Sequence, residues 1–250
     1  MDYQTKVKIA MKNSQAVIML LDGRFPEDTK IKFIERAGVQ FRKPIIYVAT
    51  KADLISFDKR KLLKDKGYFL ISSKTRRGRK ELIDELEKIV KTRKGSRAFY
   101  FVIVGYPDVG KSSLINYLVG RKRVKVSPIA NTTHGQQYIK LNEEIMLVDT
   151  PGIFEDNRVT FLGLRGGISP EQVSDAIPVV YKIIKLLISD DELDRLKYYD
   201  FKAGPKDVDE IIDPLLLQVA KKRNLKLKGG DYNLQEAAKI LMRDFQRGKW

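Results

Sequence analysis

The sequence predicts an α/β fold, a mostly parallel sheet flanked by helices, followed by a small all-α domain. Three observations carry this. The apolar runs Ala16–Leu21, Pro44–Ala49, Tyr68–Ile71 and Phe99–Val104 have the length of strands. They are continuous rather than alternating, as in strands buried on both faces. Segments with helical spacing separate them, the alternation that produces parallel strands joined by crossover helices. Beyond about residue 160 no further run suits a strand, so the boundaries are drawn at 1–160 and 161–250.

Each element follows from local chemistry. Residues 1–15 suit a short basic helix (Lys6, Lys8, Lys12), and Asp22-Gly-Arg-Phe-Pro26 is turn chemistry after the first strand. Residues 27–37 have helical spacing. Pro44 opens the second strand, where its missing N–H costs no ladder bond. A polar helix is expected at 57–65, and Leu82, Ile83, Leu86, Ile89 and Val90 mark one face of an amphipathic helix at 79–93. Residues 94–97 connect it to the fourth strand. Further on, 137–141 and 145–148 flank Asn142-Glu-Glu144 as a hairpin. In the second part, Ser169-Pro170-Glu171-Gln172 has the form of a capping box with proline at the first helical position, so a helix is expected to start there. Helices are also expected at 177–188, 205–223 and 234–246.

Composition narrows the partners. The chain of 250 residues carries a formal net charge of +16, with a sequence pI of about 9.7. Such an excess points to polyanions, nucleic acid before an anionic membrane. No apolar run reaches membrane-spanning length, and the N-terminus shows no signal-peptide core. Without cysteine and with a single histidine, His134, disulfides and Cys- or His-based metal sites are excluded. A cytoplasmic monomer is the expectation.

The strongest motif is Gly105-Tyr-Pro-Asp-Val-Gly-Lys-Ser112, between an apolar strand and a helix. Such a loop cradles a nucleotide's phosphates. Backbone N–H groups from Asp108, Val109, Gly110, Lys111, Ser112 and Ser113 face the oxygens, Lys111 reaches the outer phosphates, and the Ser112 hydroxyl can ligate Mg²⁺. This is a P-loop NTPase signature. Asp149-Thr150-Pro151-Gly152 follows another apolar strand. Its carboxylate suits Mg²⁺ held through water, and the Gly152 N–H suits a γ-phosphate contact. Thr132-Thr133 lies between the two, and Thr133 is the candidate for a third metal-directed hydroxyl.

Base choice follows from Thr50-Lys51-Ala52-Asp53. The Asp53 carboxylate can accept from N1–H and the N2 amino group of guanine, donors that adenine lacks. The Lys51 stem can cover base and ribose, and Thr50 completes the loop. Ser72-Ser73-Lys74 would offer backbone N–H groups to the guanine O6.

These motifs resemble those of the translation-factor-class GTPases in rotated order, because the guanine-reading loops precede the phosphate loop. That order is similar to the circularly permuted GTPases, and within them to the YlqF/RbgA type, whose members assist large-ribosomal-subunit assembly. Asp22-Gly-Arg-Phe-Pro26 resembles that family's Asp-Ala-Arg-x-Pro turn, and Ala220–Leu225, Gly229-Gly230 and 240–248 resemble its helical tail. The resemblance implies GTP and GDP as ligands, Mg²⁺ as cofactor, hydrolysis assisted by Lys111, Thr133 and Gly152, and rRNA of the large subunit or its precursor as partner.

Departures from the pattern have consequences. Thr50 stands where the family often has Asn. Asp108 replaces an Asn that in related GTPases helps hold potassium, which leaves potassium dependence open. Ile153 occupies the position of the water-orienting Gln of Ras-type enzymes, so intrinsic turnover should be slow, with RNA docking ordering 127–135 and 152–166. The Trp-Phe-Pro-Gly-His segment of bacterial members does not occur, so no catalytic histidine is carried over from it. Lys239, Arg243 and Arg247 recur every fourth residue beside Lys221-Lys222-Arg223, Lys226 and Lys228, which points to RNA contact by the helical part. Two other readings remain: a GTP-gated RNA-binding scaffold with negligible hydrolysis, and a regulatory GTPase at another polyanionic partner.

Overall fold

The computed structural model describes residues 3–92, 98–120, 137–152, 159–204 and 207–249. The chain divides into two compact units, Met1–Glu155 and Asp156–Trp250.

In the first unit, six strands form one sheet: β1 (Ala16–Asp22), β2 (Ile45–Thr50), β3 (Phe69–Leu70), β4 (Phe99–Gly105), β5 (Gln137–Lys140) and β6 (Ile145–Asp149). Their spatial order is β3-β2-β1-β4-β6-β5, with all neighbours parallel except the β5–β6 hairpin. From β1 the chain builds outward to β3, then returns to place β4 on β1's other side. The switch point therefore falls between β1 and β4, where the carboxyl ends of a parallel sheet leave a crevice for a ligand.

Helices cover both faces. α1 (Tyr3–Lys12), α2 (Lys32–Phe41) and α3 (Phe57–Asp65) are followed by α4 (Arg79–Lys91) and α5 (Lys111–Val119). Strand β1 shows why its sequence is apolar throughout. Val17, Met19 and Leu21 pack in one core with Met11 and Ile34, while Ala16, Ile18 and Leu20 pack in another with Leu82, Leu86, Leu114 and Leu118. Every β1 side chain is buried, so alternation would have placed polar groups in a core.

The second unit contains α6 (Val159–Arg165), α7 (Ile177–Ser189), α8 (Val208–Lys222) and α9 (Leu234–Gln246). Its interior includes Val180, Ile184, Leu216, Leu241 and Phe245, and the buried Tyr199 hydroxyl donates to the buried Asp244 carboxylate at 3.2 Å.

Two expectations need correction. Residues 27–37 are not one helix: Glu27–Thr29 form a 3₁₀ turn, and α2 begins at Lys32. The Thr29 hydroxyl lies 3.1 Å from the Phe25 and Pro26 carbonyls and accepts from the Asp22 N–H at 3.0 Å, closing the turn back onto β1. At Ser169 the box closes only a three-residue 3₁₀ turn, Pro170–Gln172, with Gln172 accepting from the Ser169 N–H at 3.2 Å. Val173 is then extended and buried, and the helix starts at Ile177. Pro178, in its first turn, would clash with a carbonyl four residues back if a helix ran through from 170.

Candidate nucleotide site

Five loops meet the rim at the carboxyl ends of the parallel strands. Register places Asp22 beside Thr50, Leu20 beside Gly105 and Ile103 beside Asp149. The residues singled out on β1, β2, β4 and β6 are therefore brought level with one another by the sheet itself.

At the phosphate end, β4 delivers the glycine-bounded loop. Asp108 (φ 54°) and Gly110 (φ 101°) both take the left-handed conformation, and Gly110 caps the N-terminus of α5. Glycine adopts the φ of Gly110 without strain, a short polar residue such as Asp108 tolerates the left-handed region, and the turn aims the first N–H groups of α5 out of the loop. Val109 is buried behind the loop, while Ser112 and Ser113 are exposed in the first turn of α5. The Lys111 ammonium donates to the Thr150 carbonyl and lies 3.2 Å from Asp149 Oδ1. The loop after β6 thus holds the lysine that the phosphates would take. Gly152 packs on Pro107, where a Cβ would come within 2.8 Å of the proline ring.

Asp149 Oδ1 is buried, and among the described residues it accepts no hydrogen bond; Lys111 approaches it only as a charge. A buried carboxylate oxygen without a hydrogen bond is costly unless a ligand or ion completes it. Together with the Ser112 hydroxyl it fits a hard cation such as Mg²⁺, which takes few protein ligands and leaves room for phosphate oxygens. Thr133, His134 and Ile153 lie outside the described residues.

At the base end, Asp53 sits in the 3₁₀ turn Ala52–Leu54, whose Ala52 N–H donates to the Ile71 carbonyl at 3.1 Å. The buried Ser72 hydroxyl donates to Asp53 Oδ1 at 2.6 Å and accepts from the Thr75 N–H at 3.0 Å. Among the described residues Asp53 Oδ2 accepts no hydrogen bond, so the carboxylate is oriented through one oxygen and open through the other. Ser73 and Lys74 stand exposed at the tip of a turn closed by the Ser72–Arg77 bridge.

Thr50 is placed by two backbone carbonyls. It is buried, and its hydroxyl lies 3.0 Å from the Leu21 carbonyl and 2.5 Å from the Val109 carbonyl. It faces the phosphate loop and ties the two ends of the site together.

The turn after β1 takes part in the site as well. Asp22 is buried and takes the Arg24 guanidinium at both oxygens (2.9 and 2.8 Å) and the Lys51 ammonium at 2.7 Å. Burial pushes the Asp22 carboxyl up, but the two cations outweigh it and leave the group well below the usual carboxylate range. Burial likewise lowers Lys51 against the opposing pull of Asp22. Lys51, itself left-handed at φ 54°, is therefore anchored at its tip with its stem laid across the rim. The signal in the sequence was an aspartate ending an otherwise apolar, fully buried strand, with an arginine two residues on. Such a carboxylate requires a cation.

A family model described as RsgA GTPase matches residues 3–157, and one described as 50S ribosome-binding GTPase matches residues 100–221. An uncharacterized GTP-binding protein of Methanocaldococcus jannaschii is 33% identical over 236 residues, covering 93% of this chain and 62% of that protein. Nuclear/nucleolar GTPase 2 of Oryza sativa is 30% identical over 249 residues, covering 95% of this chain and 45% of that one. The chain therefore spans less than two thirds of the length of these curated relatives. The crystal structure of GNP-bound YlqF from T. maritima matches in fold with a TM-score of 0.60 at 22% identity, covering 98% of this chain and 94% of that one. The base-side loops precede the phosphate loop, the YlqF fold has the same course, and the RsgA GTPase match takes in more than half of the sequence; the chain belongs to the circularly permuted GTPases.

Proposed function

We propose that the protein binds GTP with Mg²⁺, hydrolyses it to GDP and phosphate, and acts as a nucleotide-controlled switch in assembly of the large ribosomal subunit through rRNA contacts. The observation that carries this reading is the contact of Lys111 with Thr150 and Asp149, which makes the phosphate-binding lysine and the loop after β6 competitors for one another. The ribosomal part is supported by the match to a model described as 50S ribosome-binding GTPase, by a relative named as a nucleolar GTPase, and by the +16 charge.

In this mechanism Asp53, oriented by Ser72, takes the guanine N1–H and N2 amino group, and the anchored Lys51 stem lies over the base. Backbone N–H groups at the start of α5 and the Lys111 ammonium hold the β- and γ-phosphates. Mg²⁺, held by Ser112 and Asp149, would neutralise charge between those phosphates. When Lys111 turns to the phosphates it releases the Thr150 carbonyl, and the Gly152 N–H becomes available to the γ-phosphate. The chain beyond Gly152 leads directly into the helical unit, so nucleotide state acts on the segment joining the two units. Turnover is slow in isolation and rises on the ribosomal particle.

The test is phosphate release under multiple-turnover conditions, with and without purified large ribosomal subunits. The reading expects a low rate that the large subunit raises at least several-fold and the small subunit does not. A high rate untouched by either particle contradicts it. No measurable release on any particle favours the scaffold.

A further inference from the structure

The net charge is not spread evenly. Residues 1–155 hold 31 lysines and arginines against 17 aspartates and glutamates, whereas residues 156–250 hold 17 against 15. Nearly all of the excess belongs to the nucleotide unit. Within it, residues 57–80 contain ten basic side chains and two acidic ones, half of the whole chain's net charge.

The fold shapes that stretch into a groove. α3 forms one wall, β3 the floor, and the turn leading to α4 the other wall, enclosing about 890 Å³ lined by Phe57, Arg60, Lys61, Lys64, Tyr68 and Arg77. β3 is the last strand on its side of the sheet. Phe57 opens α3 and is 73% exposed, an apolar residue that folding leaves in water. Lys61, Lys64 and Arg77 on the lining, and Arg76 in the turn beside it, are exposed, and among the described residues none of the four forms an ion pair. Asp53, Asp65 and Glu81 also line the groove, opposite Arg60, Lys61, Lys64 and Arg77, and Asp53, Ser72 and Thr75 bring one end of it to the base loops. In the helical unit Arg243 pairs with Glu171, Lys222 with Asp200 and Lys249 with Asp244, while Lys226, Lys239 and Arg247 form no ion pair among the described residues but stand in a unit that is nearly neutral overall.

We propose that this groove is the principal RNA-docking surface of the chain, ahead of the basic face of α9. The inference rests on the reading of the partner as RNA. Unpaired cations on a concave wall suit the phosphates of a folded strand, and an exposed ring suits an unstacked base, the combination by which proteins hold single-stranded parts of structured RNA. A membrane presents no narrow ridge to fill such a groove.

The experiment is fluorescence anisotropy with a labelled stem-loop RNA across a salt series, comparing K61Q/K64Q/R76Q/R77Q, F57A and a tail variant K226Q/K239Q/R247Q. GTP affinity and the unfolding midpoint serve as controls for fold. The quadruple variant should lose at least tenfold in affinity, and the slope of log K against log salt should fall by about 3, as expected for about four lost phosphate contacts. F57A should lose several-fold with the slope unchanged, and the tail variant should change by less than threefold. Groove variants that bind like the parent while the tail variant fails would overturn the inference and leave the RNA reading standing. A parent protein that binds no RNA, or that binds phosphatidylserine vesicles instead, would overturn both.

Discussion

The nucleotide unit and the helical unit use charge differently. In the first, buried charge is spent on positioning: Asp22 fixes Lys51, Ser72 fixes Asp53, and Thr50 ties the phosphate loop to β1. On its surface Lys30, Lys88 and Lys140 pair with neighbouring glutamates, while Lys61, Lys64, Arg76 and Arg77 remain open. In the second, Lys222, Arg243 and Lys249 close on Asp200, Glu171 and Asp244, and the buried Tyr199–Asp244 bond, with the exposed Lys249 ammonium beside it, holds α9 in place. Basic residues at helical spacing are thus a poor guide to a binding face until their partners are known. A surface ion pair contributes little stability, yet it removes a cation from competition for phosphate.

This contrast can be broken by variants that affect one unit only. The largest effect belongs to K111A, which should lower phosphate release by about 10²–10³-fold, the usual cost of removing a group that stabilises transition-state charge. The thermal unfolding of the helical unit should not move, and a common loss of stability in both units would argue against the division. Next is D22N. Freed from its anchor, Lys51 should cover the base poorly, and GTP affinity should fall about tenfold, in keeping with the loss of one charge-assisted hydrogen bond. The rate at saturating GTP should stay within about twofold, since Asp22 does not touch the phosphates. An unchanged affinity would mean that the turn after β1 is only structural.

Y199F sharpens the comparison from the other side. Losing the bond to Asp244 should cost about 1 kcal/mol in chemical unfolding of the helical unit while leaving GTP affinity as it was. The smallest effect concerns pH. Because the Asp22 carboxyl is held below its ordinary value, its contribution to stability is fully present above about pH 4 and fades as pH falls below it. The acid limb of a stability–pH curve should therefore be shallower for D22N than for the parent.

Much of this was legible because phosphate recognition constrains the backbone as well as the side chains. A glycine-bounded loop between an apolar strand and a helix has few uses, and in the fold Gly110 is the left-handed cap of α5 and Lys111 its first residue. The expectation that Ser72 serves the base loop also meets a supporting contact, its hydroxyl on Asp53. What sequence could not give was direction. Thr50 offers a hydroxyl that is equally suited to a base or to a backbone carbonyl, and only the approach of β2 to the phosphate loop decides between them. The role of Asp22 was hidden for a similar reason: its partner Lys51 lies 29 residues away and meets it through strand pairing. In the second part, the capping residues at Ser169 are correct for a helix start, but Pro178 lies too close for one to develop. Whether Arg243 faced RNA or Glu171 depended on a contact 72 residues distant in the chain.

The central claim is that loops from separate strands converge so that one carboxylate selects the purine while Lys111 holds its phosphates. Isothermal titration of D53N against GTP and xanthosine triphosphate tests it most directly. Asparagine cannot accept from both N1–H and the guanine amino group, but it can donate to the xanthine 2-oxo group. The account predicts that GTP affinity falls by at least about 10²-fold and that preference passes to xanthosine triphosphate. A variant that still prefers GTP by the parent's margin would contradict it.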